Sequence, residues 1–231
     1  MIKQDLYNGA QTLNNIIRQS HGHQLDHIGI GVADTEAGVA EIEALTGAKI
    51  ALDPPIEDQW YWSGALPLGS DSYAEIIGPN PTNDISAPLR PWLSQLDKPS
   101  VHFWYIAVKS MAEFSLAAEA AGASVIFETQ VNEEDDPASS RYIYAGLGPD
   151  FVLQKPSLIE WERHVQREGF HNLPVVCELV SLELFHPNAA QYNPVLEHLG
   201  CDARIETGES RFRFALDTPN GRVVFDNPGV M

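Results

Sequence analysis

The residues of this sequence best suited to chemistry are histidines and carboxylates set into alternating apolar runs. His27 stands in Leu25-Asp26-His27-Ile28-Gly29-Ile30-Gly31-Val32. Ile28, Ile30 and Val32 share one strand parity, and His27, Gly29 and Gly31 share the other. A neutral imidazole there suits Zn, Ni, Fe or Co, and the two glycines predict open space beside it. The plainer alternative is a buried histidine bonded to backbone. Glu75, in Tyr73-Ala74-Glu75-Ile76-Ile77, is costly to bury unless it is paired or on a metal. On an edge strand it would simply face water.

The second half of the chain offers partners for this pair. His102 lies 20 residues before Gly122, as His27 lies 20 before Gly47. The helix caps count differently, because His27 is 7 residues before Asp34 and His102 is 8 before Ser110. If Trp104, Ile106 and Val108 face a helix, Phe103 takes the position of His27, and His102 reaches the same face only through a β-bulge. Glu160, in Leu158-Ile159-Glu160-Trp161, repeats the texture around Glu75, and Gln154 competes for the same role. The run Gln59-Trp60-Tyr61-Trp62 supplies aromatic walls for a ligand pocket, or else an aromatic strand in the core.

The elements that must hold these residues recur along the chain. The strand around His27 leads to a helix with Asp34 as N-cap, Val39, Ile42 and Leu45 on one stripe, and Gly47 as its stop. Strand-like runs follow between Ile50 and Gly78. The pattern returns with a strand over Val101–Val108, a capping box of Ser110 and Glu113, and a helix ending at Gly122. Candidate strands over Val125–Glu128, Tyr142–Ala145, Phe151–Gln154 and Leu158–Trp161 come next. A third copy has an alternating Leu179–Phe185, a helix capped by Asn188 with Pro194 marking its first turn, and a hairpin at Asn220-Gly221. Three strand–helix–strands units predict an α+β fold built from an internal repeat. The stripe of Ile2, Leu6, Leu13, Ile16 and Ile17 predicts a helical arm over residues 1–22.

Composition narrows the function classes. The 14 basic and 32 acidic residues give a net charge of -18, which repels phosphate backbones and anionic lipid, so no nucleic-acid or membrane partner is expected. The N-terminus does not read as a signal peptide, and no apolar stretch reaches the ~20 residues of a membrane span. A cytoplasmic location is expected, with Cys177 and Cys201 as reduced thiols and one bridge as the alternative. The run Glu133-Glu134-Asp135-Asp136 reads as a solvated loop. No glycine-rich phosphate loop follows any strand.

The run Leu25-Asp26-His27-Ile28-x-Ile30-x-Val32-x-Asp34, the helix end Thr46-Gly47, and Tyr73-Ala74-Glu75-Ile76-Ile77-Gly78-Pro79 resemble a βαβββ module of the vicinal oxygen chelate superfamily. Pro156–Trp161 and Leu182–Gly200, with Asp217-Thr218-Pro219-Asn220-Gly221, are similar to its glyoxalase-like branch. The resemblance implies one glyoxalase-like domain over residues 23–231, with modules at about 24–79, 100–161 and 177–227. The first two modules are then expected to pair into a cup-shaped sheet. It also implies a divalent metal (Zn, Ni, Fe, Co or Mn) held by His27, Glu75, His102 and Glu160, with Glu160 as catalytic base; the substrate-binding walls of Trp60 and Trp62 are read from the residues alone. The implied function is a metal-dependent lyase or isomerase that acts on a small oxygenated metabolite through a chelated enediolate, in a chain expected to form a homodimer. Two alternatives are a metal-free small-molecule binder of the same fold and an extradiol-type dioxygenase using two histidines and one carboxylate. Where many relatives carry Gly-Gly-x-His and Gly-Thr-x-Asn runs, this chain has Gln59–Leu66 instead.

Overall fold

Alternating apolar residues become strands here, and each helix is set by the caps around it. The computed structural model describes residues 24–57, 59–69, 72–82, 93–120, 124–130, 142–148, 154–161, 173–198, 200–201 and 203–227. The arm expected over 1–22, the acidic run at 133–136 and the helix stop at Gly122 lie outside these residues. The first unit is β1 (Gln24–Gly31), α1 (Thr35–Thr46), β2 (Ala51–Leu52), β3 (Tyr61–Pro67) and β4 (Tyr73–Pro79). The second is β5 (Ser100–Ala107), α2 (Met111–Ala120), β6 (Ser124–Gln130), β7 (Tyr142–Gly148) and β8 (Ser157–Trp161). The third is β9 (Glu178–Phe185), α3 (Ala189–His198), β10 (Ile205–Glu206), β11 (Arg211–Thr218) and β12 (Gly221–Asn227).

The first two units pair edge to edge through antiparallel β1 and β5 into one eight-stranded sheet, in the order β2-β3-β4-β1-β5-β8-β7-β6. Each half repeats the other, with its first and last strands parallel, β1 with β4 and β5 with β8. Helix α1 starts where Asp34 accepts the Ala37 N–H at 2.8 Å, and it ends at Gly47 with φ 71°, a conformation only glycine adopts without strain. At α2, Ser110 Oγ accepts the Glu113 N–H at 3.2 Å. The helices cover one face of the sheet, where Ile28, Ile30, Ile42, Ile76, Trp104 and Leu158 are fully or almost fully buried.

The third unit keeps the element order but not the pairing. Its four-stranded sheet runs β10-β9-β11-β12, so β9 pairs with β11 and not with its own last strand. The hairpin stands as expected, with Thr218 opposite Gly221 and Gly221 at φ 106°. Pro194 does not open the helix. Helix α3 begins at Ala189 and carries Pro194 inside it. The preceding turn is held by buried Ala189 and Tyr192 and by Asn193, whose side chain bonds both backbone groups of Ile205 at 2.8 and 2.9 Å. Those contacts outweigh the proline's missing N–H.

The two sheets meet along β5 and β12. Ser100 Oγ donates to the Asp226 carbonyl at 2.9 Å, and Asn227 Nδ2 donates to the Val101 carbonyl at 2.9 Å. Asn220 Nδ2 ties the hairpin to the Ala44 carbonyl of α1 at 2.9 Å. Neither Cys177 nor Cys201 is in a disulfide.

Candidate functional site

Strand register brings His27 and Glu75 together. In the parallel β1–β4 pair His27 lies opposite Tyr73, and Gly29 lies opposite Glu75. All four therefore share the face away from the helices. His27 Nε2 is 3.7 Å from Glu75 Oε2, while its Nδ1 is 2.7 Å from Asp26 Oδ1. The His27 side chain is 6% exposed. It is stacked between the rings of Tyr73 and Tyr105, with centroids at 4.9 and 4.3 Å, and meets the edge of Phe103 at 6.0 Å. Burial raises the Glu75 carboxyl above its ordinary range. A charged His27 and a hydrogen bond from Ser63 act against this, while Asp53 and Asp26 add repulsion in the same direction as burial.

The space expected beside Gly29 and Gly31 is filled. A Cβ on Gly29 would meet the Phe103 ring at 2.1 Å, and one on Gly31 would meet the His102 ring at 2.7 Å and Leu93 at 2.9 Å. Cross-strand side chains occupy what the glycines vacate, and Phe103 stands opposite Gly29 where the second module would bring a donor.

His102 does sit at a bulge. Gly29 pairs with Phe103 and Ile30 with Val101, which leaves His102 as the extra residue of β5. The bulge carries its ring to Gly31, four residues along β1 from His27, or about 13 Å at the usual strand rise. There its Nδ1 is 3.1 Å from Asn227 Nδ2, and burial lowers its pKa to about 3. Glu160 is not brought to His27. It shares the helix-side parity of Leu158, the partner of Ile106, and its Oε2 accepts the Met111 N–H at 2.6 Å at the start of α2. Gln154 lies in a turn, and the rest of the strand expected over 151–154 lies outside the described residues. Its Nε2 donates to Ser210 Oγ at 3.1 Å and its carbonyl accepts from Trp104. Trp62, opposite Gly78, falls on the helix side and donates to the Asp53 carbonyl at 2.5 Å. Trp60 packs against Tyr61, with centroids at 5.1 Å.

Sequence reasoning missed Asp26, Tyr73, Tyr105 and Ser63. Tyr73 was within reach, because it lies two residues from Glu75 and so on the same face. Tyr105 follows from Phe103 in the same way.

Among the described residues, no three His, Cys, Asp or Glu side chains gather to hold a metal. The His27–Glu75 pair supplies two donors of suitable type. A carboxylate on the other imidazole nitrogen, here Asp26, is the usual companion of a metal-bound histidine. The pair therefore fits part of a divalent metal's shell, fewer than the three protein ligands of a catalytic zinc. One histidine and one carboxylate do not make the facial triad of the dioxygenase alternative.

The profile of the glyoxalase-like domain family matches residues 25–200. The chain belongs to this family, within the vicinal oxygen chelate superfamily. No curated protein matches it. Among solved structures, a hypothetical protein from Staphylococcus aureus is similar over 88% of this chain and 85% of its own, at 9% identity and a TM-score of 0.56; this likeness is one of fold. Methylmalonyl-CoA epimerase from Mycobacterium tuberculosis matches at 19% identity over 59% of this chain and 86% of its own, with a TM-score of 0.43. The Streptomyces coelicolor epimerase in complex with 2-nitronate-propionyl-CoA matches at 19% identity over 60% and 97%, with a TM-score of 0.42. No helix among the described residues is long and apolar enough to cross a membrane.

Proposed function

We propose that this glyoxalase-like protein is a metal-dependent lyase or isomerase working on a small oxygenated metabolite at the His27–Glu75 pair. The observation that carries the reading is the 3.7 Å approach of His27 Nε2 to Glu75 Oε2 on the face away from the helices. A divalent metal there would be held by His27 and Glu75, and it would supply a Lewis acid for two neighbouring substrate oxygens. The Glu75 oxygen left free of the metal would accept the proton that leaves the carbon beside a carbonyl. A hydrogen bond from Ser63 orients the carboxylate. Tyr73 and Tyr105 cover both faces of the imidazole, so a ligand meets His27 only at its Nε2 edge and water is kept off the ring. In this reading Glu160 serves α2 and leaves the role of base to Glu75.

A specific observation favours a second reading. Phe103 and Tyr105 stand on the site face where the second module would carry donors, which suits an aromatic-lined binder that performs no chemistry. Hydrogen exchange separates the two. α-Hydroxycarbonyl probes incubated in D2O with cobalt- or zinc-loaded protein should exchange the proton beside the carbonyl, and Glu75→Gln should slow this by 100-fold or more. Probes that bind without exchange would leave the binder reading standing alone.

A further inference from the structure

Consecutive side chains of a regular strand leave on opposite faces, yet Asp26 and His27 are hydrogen-bonded to each other at 2.7 Å. The register explains how. Leu25 pairs with Ile106 and His27 with Tyr105, so two steps along β1 answer one along β5, and Asp26 is the extra residue. A bulge re-aims a side chain in this way. Here it delivers a carboxylate with 0% exposure to the imidazole of the next residue.

From this geometry we infer that Asp26 is a positioning residue: bulged out of register, it holds the proton of His27 on Nδ1 and leaves Nε2 as the nitrogen that meets ligand or metal. An ionised carboxylate has no proton to give, so the ring must donate from Nδ1. Rotation of the imidazole about its Cβ–Cγ bond is opposed on both sides by Tyr73 and Tyr105. Nε2 is thereby fixed toward Glu75. The assignment deepens the proposed function and rests on His27 being its working residue, while the ring's proton can be located without any substrate or metal.

The test is a long-range proton–nitrogen NMR correlation of 15N-labelled protein, with the His27 ring assigned by His27→Gln. It is read at a pH high enough that the ring has become neutral. Wild type should carry its proton on Nδ1. In Asp26→Asn the side-chain amide can offer an N–H to Nδ1, and the proton should move to Nε2. Cobalt titration of the same proteins should show binding weakened about 10- to 100-fold in Asp26→Asn. A neutral wild-type ring protonated on Nε2, Asp26→Asn with its proton still on Nδ1, or cobalt bound equally well by both proteins would overturn the inference. If wild type takes up no cobalt, the metal in the proposed function fails and the ring proton still decides the role of Asp26. The wild-type spectrum alone suffices if the variant does not fold.

Discussion

At the scale of single residues, Glu75 is held against its own preference. Its side chain is 22% exposed, it shares its surroundings with Asp53 and Asp26, and its pKa is raised. A carboxyl whose folded pKa lies above its unfolded value costs stability once both states have lost the proton. The amide of Glu75→Gln carries no charge, so this variant should melt above wild type at pH 7.5, and the gap should close as the pH falls from the raised folded value to the ordinary carboxyl value of 4.5. Thermal melts across that range check it; a variant that melts lower at every pH would mean that Glu75 is a structural partner. The sequence raised the question of what compensates a charge among Ala74, Ile76 and Ile77, and left a water-facing edge strand open as the answer. The role of Asp26 was not legible in it. Period-2 reading puts it on the face opposite His27, and only a bulge reverses that.

At the scale of elements, the recurring pattern was the strongest signal, and it placed β1, β5, β8, α1 with both its caps and the start of α2. Parity then separates what the repeat merely aligns. Glu160 and Glu75 have similar neighbours in sequence, but β8 enters the sheet with Leu158 opposite Ile106, so Glu160 turns to the helix side and caps α2. Glu160→Ala should therefore cost about 1 kcal/mol of stability, the usual loss for a helix cap, and leave ligand and metal binding unchanged. Urea unfolding together with cobalt titration checks both halves. The third unit was legible as an order of elements and one hairpin, because the remaining strand pairings depend on contacts that a single repeat does not specify. Glycines mislead in a related way: Gly29 and Gly31 mark close approach, and the rings of Phe103 and His102 make that approach.

At the scale of the whole molecule, the third unit is joined to the eight-stranded sheet at the seam of β5 and β12, with His102 inside it beside Asn227. Burial lowers the His102 pKa to about 3, against about 6.5 in an unfolded chain. Between those values the unfolded state binds a proton that the folded state refuses, so stability is full above pH 6.5 and falls with acidification at up to about 1.4 kcal/mol per pH unit. Wild type should thus lose about 2 kcal/mol more than His102→Gln between pH 7 and pH 5, as read from urea unfolding; equal losses would place His102 in water. The same seam explains why a histidine with the right spacing does not join His27. Its bulge serves the contact between sheets, about four residues along β1 from the proposed centre.

The proposed function stands on a metal-binding site formed by His27 and Glu75. Its most direct test is metal content by inductively coupled plasma mass spectrometry, on untagged protein and after incubation with Zn, Ni, Fe, Co or Mn. Close to one metal per chain is expected, lost in His27→Ala and in Glu75→Ala and kept in His102→Gln and Glu160→Ala. Protein that neither carries nor takes up metal, or metal that survives both His27→Ala and Glu75→Ala, would contradict it.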